Sequence, residues 1–247
     1  MNNEATHQKM QAMKFNGMAN AYRNLLDSGL VKGMSGGELL GHLIDSEYDT
    51  RYNNKLERLI KNAGFRIQAC MSDIKYSKGR NIDKDSIIEL SDGNWIKRGE
   101  NIIITGPTGV GKSFLACALG HQACLNEYKV LYLNSMKVFS ELKVAKCDGS
   151  YHKLISRIVK HDLVILDDFG VHPIDNVISM ILLEILEEKY DRTSIIIASQ
   201  YPDETWFDLI PDKTHADAIC DRLIHNSTRL ELTGETMRKK KEKTNQT

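Results

Sequence analysis

What the chain lacks narrows it first. No apolar run in its 247 residues approaches the roughly 20 needed to span a bilayer as a helix. The N-terminus, MNNEATHQKM, has no apolar secretory core. The expected compartment is therefore the cytoplasm, with no membrane partner. Five cysteines (Cys70, Cys117, Cys124, Cys147, Cys220) are scattered, odd in number and without a C-x-x-C pair. That argues against a disulfide framework and against a zinc site. There is no net charge, because 33 Lys and Arg balance 33 Asp and Glu. Only the distribution of charge can then speak for or against a polyanionic partner. There is also no internal repeat, and no low-complexity block beyond a lysine-rich tail. With 41% hydrophobic and 27% charged residues, the composition is that of an ordinary globular protein, either one large domain or a small one plus a medium one.

The charge is unevenly placed. From Arg51 to Arg80 eight basic residues (Arg51, Lys55, Arg58, Lys61, Arg66, Lys75, Lys78, Arg80) face two acids, Glu57 and Asp73, and a second cluster runs from Arg238 to Lys243. Such patches suit a phosphate backbone, and they equally suit a solvated helix face and a tail. Arg51, Lys55, Arg58 and Lys61 are the candidate DNA contacts of the first cluster.

The first seventy-odd residues read as helical. Met10, Met13, Met18, Tyr22, Leu25 and Leu26 keep a three-and-four spacing up to a stop at Gly29. Ser35-Gly-Gly-Glu38 matches a capping box that opens a long second helix. Its apolar face is Leu39, Leu40, Leu43, Ile44, Tyr48, Tyr52, Leu56, Leu59 and Ile60, closed by Gly64. Residues 1–75 are thus predicted to be a small helical domain for DNA or partner binding. Residues 76–94, polar and poorly periodic apart from Ile87, Ile88 and Leu90, are predicted to be a linker.

From residue 95 to 247 short apolar runs alternate with helical patterns, which predicts an α/β domain on a doubly wound parallel sheet. The runs are Ile102–Thr105, Val130–Leu133, Leu163–Leu166 and Ile195–Ala198, with a weaker one at Arg229–Leu232. The first ends at GPTGVGKSFLA, which meets the pattern G-x-x-x-x-G-K-[ST] in full with Gly106, Gly111, Lys112 and Ser113. Glycines let the backbone turn its N–H groups toward phosphate oxygens, and the following helix adds the positive end of its dipole. Gly106, Pro107, Thr108, Gly109, Val110, Gly111, Lys112, Ser113 and Phe114 are the predicted cradle. Lys112 would reach the β- and γ-phosphates, and Ser113 would ligate Mg²⁺.

Three further strand or helix ends complete the predicted site. Leu163-Val-Ile-Leu-Asp167-Asp168 is an apolar strand ending in two carboxylates; Asp167 is placed to hold the Mg²⁺ shell with Ser113, and Asp168 to orient or activate water. Ile195-Ile-Ile-Ala-Ser199-Gln200 ends in polar groups, with Gln200, and Ser199 behind it, as candidates to touch the γ-phosphate. Arg222, ahead of the last strand, could stabilise γ-phosphate charge in its own chain or in a neighbour's.

These pieces together resemble the IstB-like ATP-binding proteins, helper ATPases encoded by bacterial insertion sequences and related to the replicative helicase loaders among the AAA+ ATPases. The likeness runs from MKFNGMANAYRNLL through WIKRGENIIITGPTGVGKSFLACALG and LVILDDFG to ADAICDRLIHNSTRLELTGETMRK. It implies ATP and Mg²⁺ as cofactors, Lys112 and Ser113 in Walker A, Asp167 and Asp168 in Walker B, Gln200 as sensor 1 and Arg222 as an arginine finger. It further implies a homo-oligomer with ATP between subunits, assembling on double-stranded DNA to help the transposase encoded by the same element. A host helicase loader is the alternative of the same fold. A P-loop kinase is disfavoured by the combination of Asp168, Gln200 and Arg222. Lys143 and Lys146 fall where loaders and initiators carry an extra helix, and join the candidate DNA contacts. Two departures matter. Asp168 stands where most AAA+ members have Glu, which implies slow, switch-like turnover. Only 25 residues follow Arg222, too few for a helical lid, which leaves Arg238 as a weak substitute for a lid arginine.

Overall fold

The computed structural model describes residues 3–77, 79–189 and 193–237, so Lys78 and the cluster from Arg238 onward lie outside the described residues. The chain forms two compact units that divide between Arg58 and Leu59.

The first unit contains α1 (Asn3–Ala12), α2 (Asn16–Ser28) and most of α3 (Gly36–Ala63). The single helix expected before Gly29 is two helices. Lys14 takes the left-handed conformation at φ 61°, and the Phe15 N–H returns to Met10 O at 2.8 Å, closing α1 in the way a C-terminal glycine usually does. The Ser35 capping box is present: Ser35 N–H donates to Glu38 Oε2 at 2.7 Å and Glu38 N–H to Ser35 Oγ at 3.2 Å. α2 lies close on α3, since a Cβ on Gly17 would meet Ser46 O at 2.4 Å. Of the apolar face expected on α3, Leu43 is buried against Ala21 and Tyr22, whereas Leu40, Ile44 and Tyr48 are exposed. The face is wider than one short partner helix can cover.

The second unit begins inside α3, because Leu59, Ile60 and Ala63 pack into its core. This is why it starts before residue 75. The segment expected as a linker carries a helix, α4 (Lys84–Ser91), whose N-cap Asp83 accepts from Ser86 N–H at 2.8 Å and whose Ile87 and Leu90 are buried. Two buried positions are too few to give a helical period in the sequence. There follow α5 (Asn94–Lys97), β1 (Asn101–Thr105), α6 (Lys112–Leu125), β2 (Val130–Asn134), α7 (Ser135–Asp148), α8 (Tyr151–Val159), β3 (Leu163–Phe169), α9 (Asn176–Lys189), β4 (Ser194–Ser199), α10 (Trp206–Leu209), α11 (Lys213–Ile224) and β5 (Ser227–Glu231).

The five strands form one parallel sheet in the order β2-β3-β4-β1-β5. β1 and β4 are buried along their whole length, as central parallel strands covered on both faces should be. Side chains alternate between the faces. Ile103, Val164, Leu166, Ile195 and Ile197 enter a core with α7, α8, α9 and α11, while Ile102, Ile104, Ile165 and Ile196 enter another with α4 and α6. Among the described residues no helix follows β5, and none is long and apolar enough to cross a membrane.

Candidate nucleotide site

The loop from Gly106 to Gly111 joins the end of β1 to the start of α6, so its amides gather at the positive end of a 14-residue helix. Gly106 cannot be replaced there: its φ is +138°, and a Cβ would lie 2.1 Å from Leu232 O. The Lys112 ammonium donates to Gly106 O at 2.7 Å and to Pro107 O at 2.8 Å, which folds it back over the loop it serves.

β3 delivers the two carboxylates. Asp167 is buried and accepts three hydrogen bonds, from Ser113 Oγ at 2.8 Å, Tyr132 Oη at 2.5 Å and the Asp168 N–H at 3.0 Å. Burial, and then the bond to Asp167, push the Tyr132 phenol well above its ordinary pKa, so it stays a donor. The β3–β4 register shifts between Leu166 and Phe169, and Asp168 sits at φ 59°. Such an irregularity re-aims a side chain at a strand end, at a cost of about 1–3 kcal/mol for the strained residue. Asp168 accepts from Asn134 Nδ2 at 3.0 Å and Arg66 Nη1 at 3.3 Å. The Ser113–Asp167 oxygen pair is the hard donor set that a magnesium ion takes alongside phosphate and water. Among the described residues no group of three or more His, Cys, Asp or Glu could hold a metal by itself.

β4 lies between β1 and β3, and its exit meets the loop: Thr108 Oγ1 donates to Gln200 Oε1 at 2.6 Å. Ser199 is used otherwise. It is buried and its Oγ donates to Phe169 O at 2.9 Å, tying β4 to β3.

Arg222 is elsewhere. Its carbonyl accepts from Asn101 Nδ2 at 3.1 Å, at the start of β1, whereas the phosphate loop leaves the other end of that strand. Five extended residues span about 16 Å, farther than an arginine side chain reaches. Its guanidinium bonds Ala218 O at 3.0 Å and Glu187 Oε1 at 3.4 Å. Within one chain the guanidinium is thus held away from the phosphate loop.

The expected DNA contacts fall in both units. Arg51, Lys55 and Arg58 follow one exposed line of α3, with Lys61 further along the helix. Arg51 also bonds the buried Glu47 at 2.6 Å and lies 5.4 Å from the centre of the Phe15 ring. Lys143 is paired with Asp175, and Lys146 lies 5.0 Å over the Tyr151 ring. Arg66 and Arg80, counted in the same basic stretch, face the nucleotide site instead. Tyr132 and Asn134, on the second strand, carried no motif and were missed.

A parallel sheet with β4 between the Walker strands, a phosphate loop on β1 and paired acids on β3 define a P-loop ATPase of the AAA+ class. Solved structures agree on the fold: DnaI covers 72% of this chain and 94% of its own at a TM-score of 0.56 and 19% identity. AMPPCP-bound DnaA from Aquifex aeolicus covers 73% and 56% at 0.58 and 19%. Within that class the chain belongs to the IstB-like ATP binding protein family, which it matches over residues 8–245. It is 42% identical over 234 residues to a putative insertion sequence ATP-binding protein (y4pL) of Sinorhizobium fredii, covering 95% of this chain and 96% of that one. It is 27% identical to the insertion sequence IS21 putative ATP-binding protein of Pseudomonas aeruginosa, over 95% and 88%.

Proposed function

We propose that this transposition-associated, ATP-binding protein is an ATP-dependent assembly switch. With ATP bound it oligomerises on double-stranded DNA and there regulates the transposase of its element; hydrolysis undoes the assembly. The observation that carries this reading is the separation of Arg222 from the phosphate loop of its own chain. In this reading one chain supplies a cradle, an acid for the metal, an acid for water and a polar sensor, while its candidate finger lies by the opposite, amino-terminal end of β1. A second copy supplying Arg222 completes it, so that the γ-phosphate links nucleotide state to assembly.

In this reading Lys112 moves from the loop carbonyls to the β/γ-phosphates, and Ser113 with Asp167 holds Mg²⁺. The ion, when bound, neutralises phosphate charge. Asp168 orients the attacking water from the position Asn134 gives it, and Gln200, with its Thr108 contact, lies between the γ-phosphate and that water. Asp168 has a shorter arm than Glu, which is consistent with slow turnover. The exposed Arg51, Lys55 and Arg58 supply phosphate-backbone contacts. The helicase-loader alternative rests on likeness of fold alone, whereas the relatives in sequence are insertion-sequence proteins.

The experiment is sizing and DNA binding in parallel with ATP, ADP and a non-hydrolysable analogue. Large DNA-bound species are expected with ATP and the analogue and not with ADP; the same species in all three would overturn the reading.

A further inference from the structure

A guanidinium with no carboxylate partner among the described residues lies against the phosphate loop. Arg80 belongs to the stretch between α3 and α4. Its Nη2 donates to Val110 O at 2.6 Å and its Nη1 to Lys75 O at 2.9 Å. The backbone around it is stitched to the end of β5: Thr233 N–H donates to Arg80 O at 3.1 Å, Thr233 Oγ1 to Gly79 O at 2.8 Å, and Asn81 Nδ2 to Glu231 O at 3.0 Å. The guanidinium is thus held in place by backbone on both sides.

Its position depends on Gly111. A Cβ there would lie 2.7 Å from Arg80 Nη2, and Gly111 has φ +101°. Two features meet at that glycine: the last turn of the loop before α6, and an arginine pressed into the space a side chain would fill.

The electrostatics are incomplete. Burial lowers the Arg80 pKa from its ordinary value, yet none of the ion pairs among the described residues includes it. Arg80 is half-buried, and a charge partly withdrawn from water whose hydrogen bonds among the described residues go to carbonyl oxygens is incompletely compensated. Two of its five N–H donors are used by the bonds to Val110 and Lys75. The missing countercharge belongs beside Val110 and Gly111, where the amides of a phosphate loop gather the α- and β-phosphates.

We propose that Arg80 is a nucleotide-binding residue that offers the α- and β-phosphates a positive charge from its own chain. The proposal rests on the reading of this loop as the nucleotide site. It supplies this cation from the segment ahead of β1. Because the γ-phosphate is left to Lys112, Asp168 and Gln200, Arg80 strengthens ADP and ATP alike and adenosine not at all.

The test is calorimetry of ATP and ADP, with adenosine as competitor, on the full chain and on Arg80→Gln and Arg80→Lys. Loss of a charge-assisted contact weakens ATP and ADP by about 10- to 100-fold with adenosine unmoved. Lysine, which keeps the charge without the fork, falls between. Equal loss for adenosine and the nucleotides would mean that Arg80 only braces the loop, and undiminished ADP binding would mean no phosphate contact; either overturns the proposal. Should the glutamine variant fail to fold, the ADP-to-adenosine ratio of the lysine variant decides in the same way. A full chain that binds no nucleotide would instead sink the underlying reading of the site.

Discussion

Asn134 holds Asp168 and α7 with one side chain: its Nδ2 donates to Asp168 Oδ2 at 3.0 Å while its Oδ1 accepts from the Lys137 N–H at 3.3 Å as the N-cap of α7. The acid that faces water and the helix carrying Lys143 and Lys146 are therefore positioned by the same amide. Asn134→Ala should lower ATP turnover about tenfold, as removal of a supporting partner commonly does. It should also cost about 1 kcal/mol of stability for the lost cap. Steady-state ATPase and denaturant unfolding check both; loss of stability with unchanged turnover would show that Asn134 serves α7 alone.

Asp168→Asn should retain ATP and DNA binding while abolishing turnover, since Asp167 keeps its bonds to Ser113 and Tyr132. The expected product is a trapped ATP-loaded assembly, seen as a stable DNA-bound species by sizing. Normal hydrolysis by this variant would remove Asp168 from its role.

Arg66 occupies the same Asp168 oxygen that Asn134 does, through an ion pair whose arginine side chain is 53% exposed. Such a pair contributes under about 1 kcal/mol to stability. Freeing the oxygen to accept from water should raise basal ATPase a few-fold in Arg66→Ala. A fall in turnover would mean that Arg66 acts on the phosphates instead.

The sheet was legible because its strands are short Ile- and Val-rich runs fixed by burial on both faces, and the phosphate loop because its glycines and Lys112 have few other uses. The break at Lys14 was not, since a lysine occupies a left-handed position with nothing in its chemistry to announce it. α4 was hidden in a polar stretch because two buried residues suffice to dock it. Arg66 and Arg80 read as members of a charge run; only the path of the chain after α3 separates them from Arg51, Lys55 and Arg58. Tyr132 and Asn134 act through strand pairing, with Tyr132 opposite Ile165 and Asn134 opposite Asp167, a relation that no local spacing carries.

Lys189 gives the fold a pH signature. It is buried, donates to His161 O at 2.9 Å, and burial brings its pKa down to about 8. In the unfolded chain it titrates near 10.4. Between those values the unfolded state binds more protons, so this group makes stability rise as pH rises from about 8 toward 10.4; below that window the burial penalty is fully present. Lys189→Met should be more stable than the parent at pH 7, with the difference shrinking across that window. A constant difference, measured by denaturant melts at several pH values, would contradict a buried titrating amine.

The claim that ATP is completed by a second copy is tested most directly by mixing two inactive variants. Arg222→Ala keeps a phosphate loop and offers no finger; Lys112→Ala keeps the finger and cannot hold the β- and γ-phosphates. Each alone should hydrolyse ATP poorly, with the finger contributing about 10³-fold or more. Random equal mixing places an intact loop against an intact finger at about one interface in four, so ATPase on DNA should reappear at a corresponding fraction of the parent rate. No recovery at any ratio, in mixtures shown to co-assemble, would contradict the account.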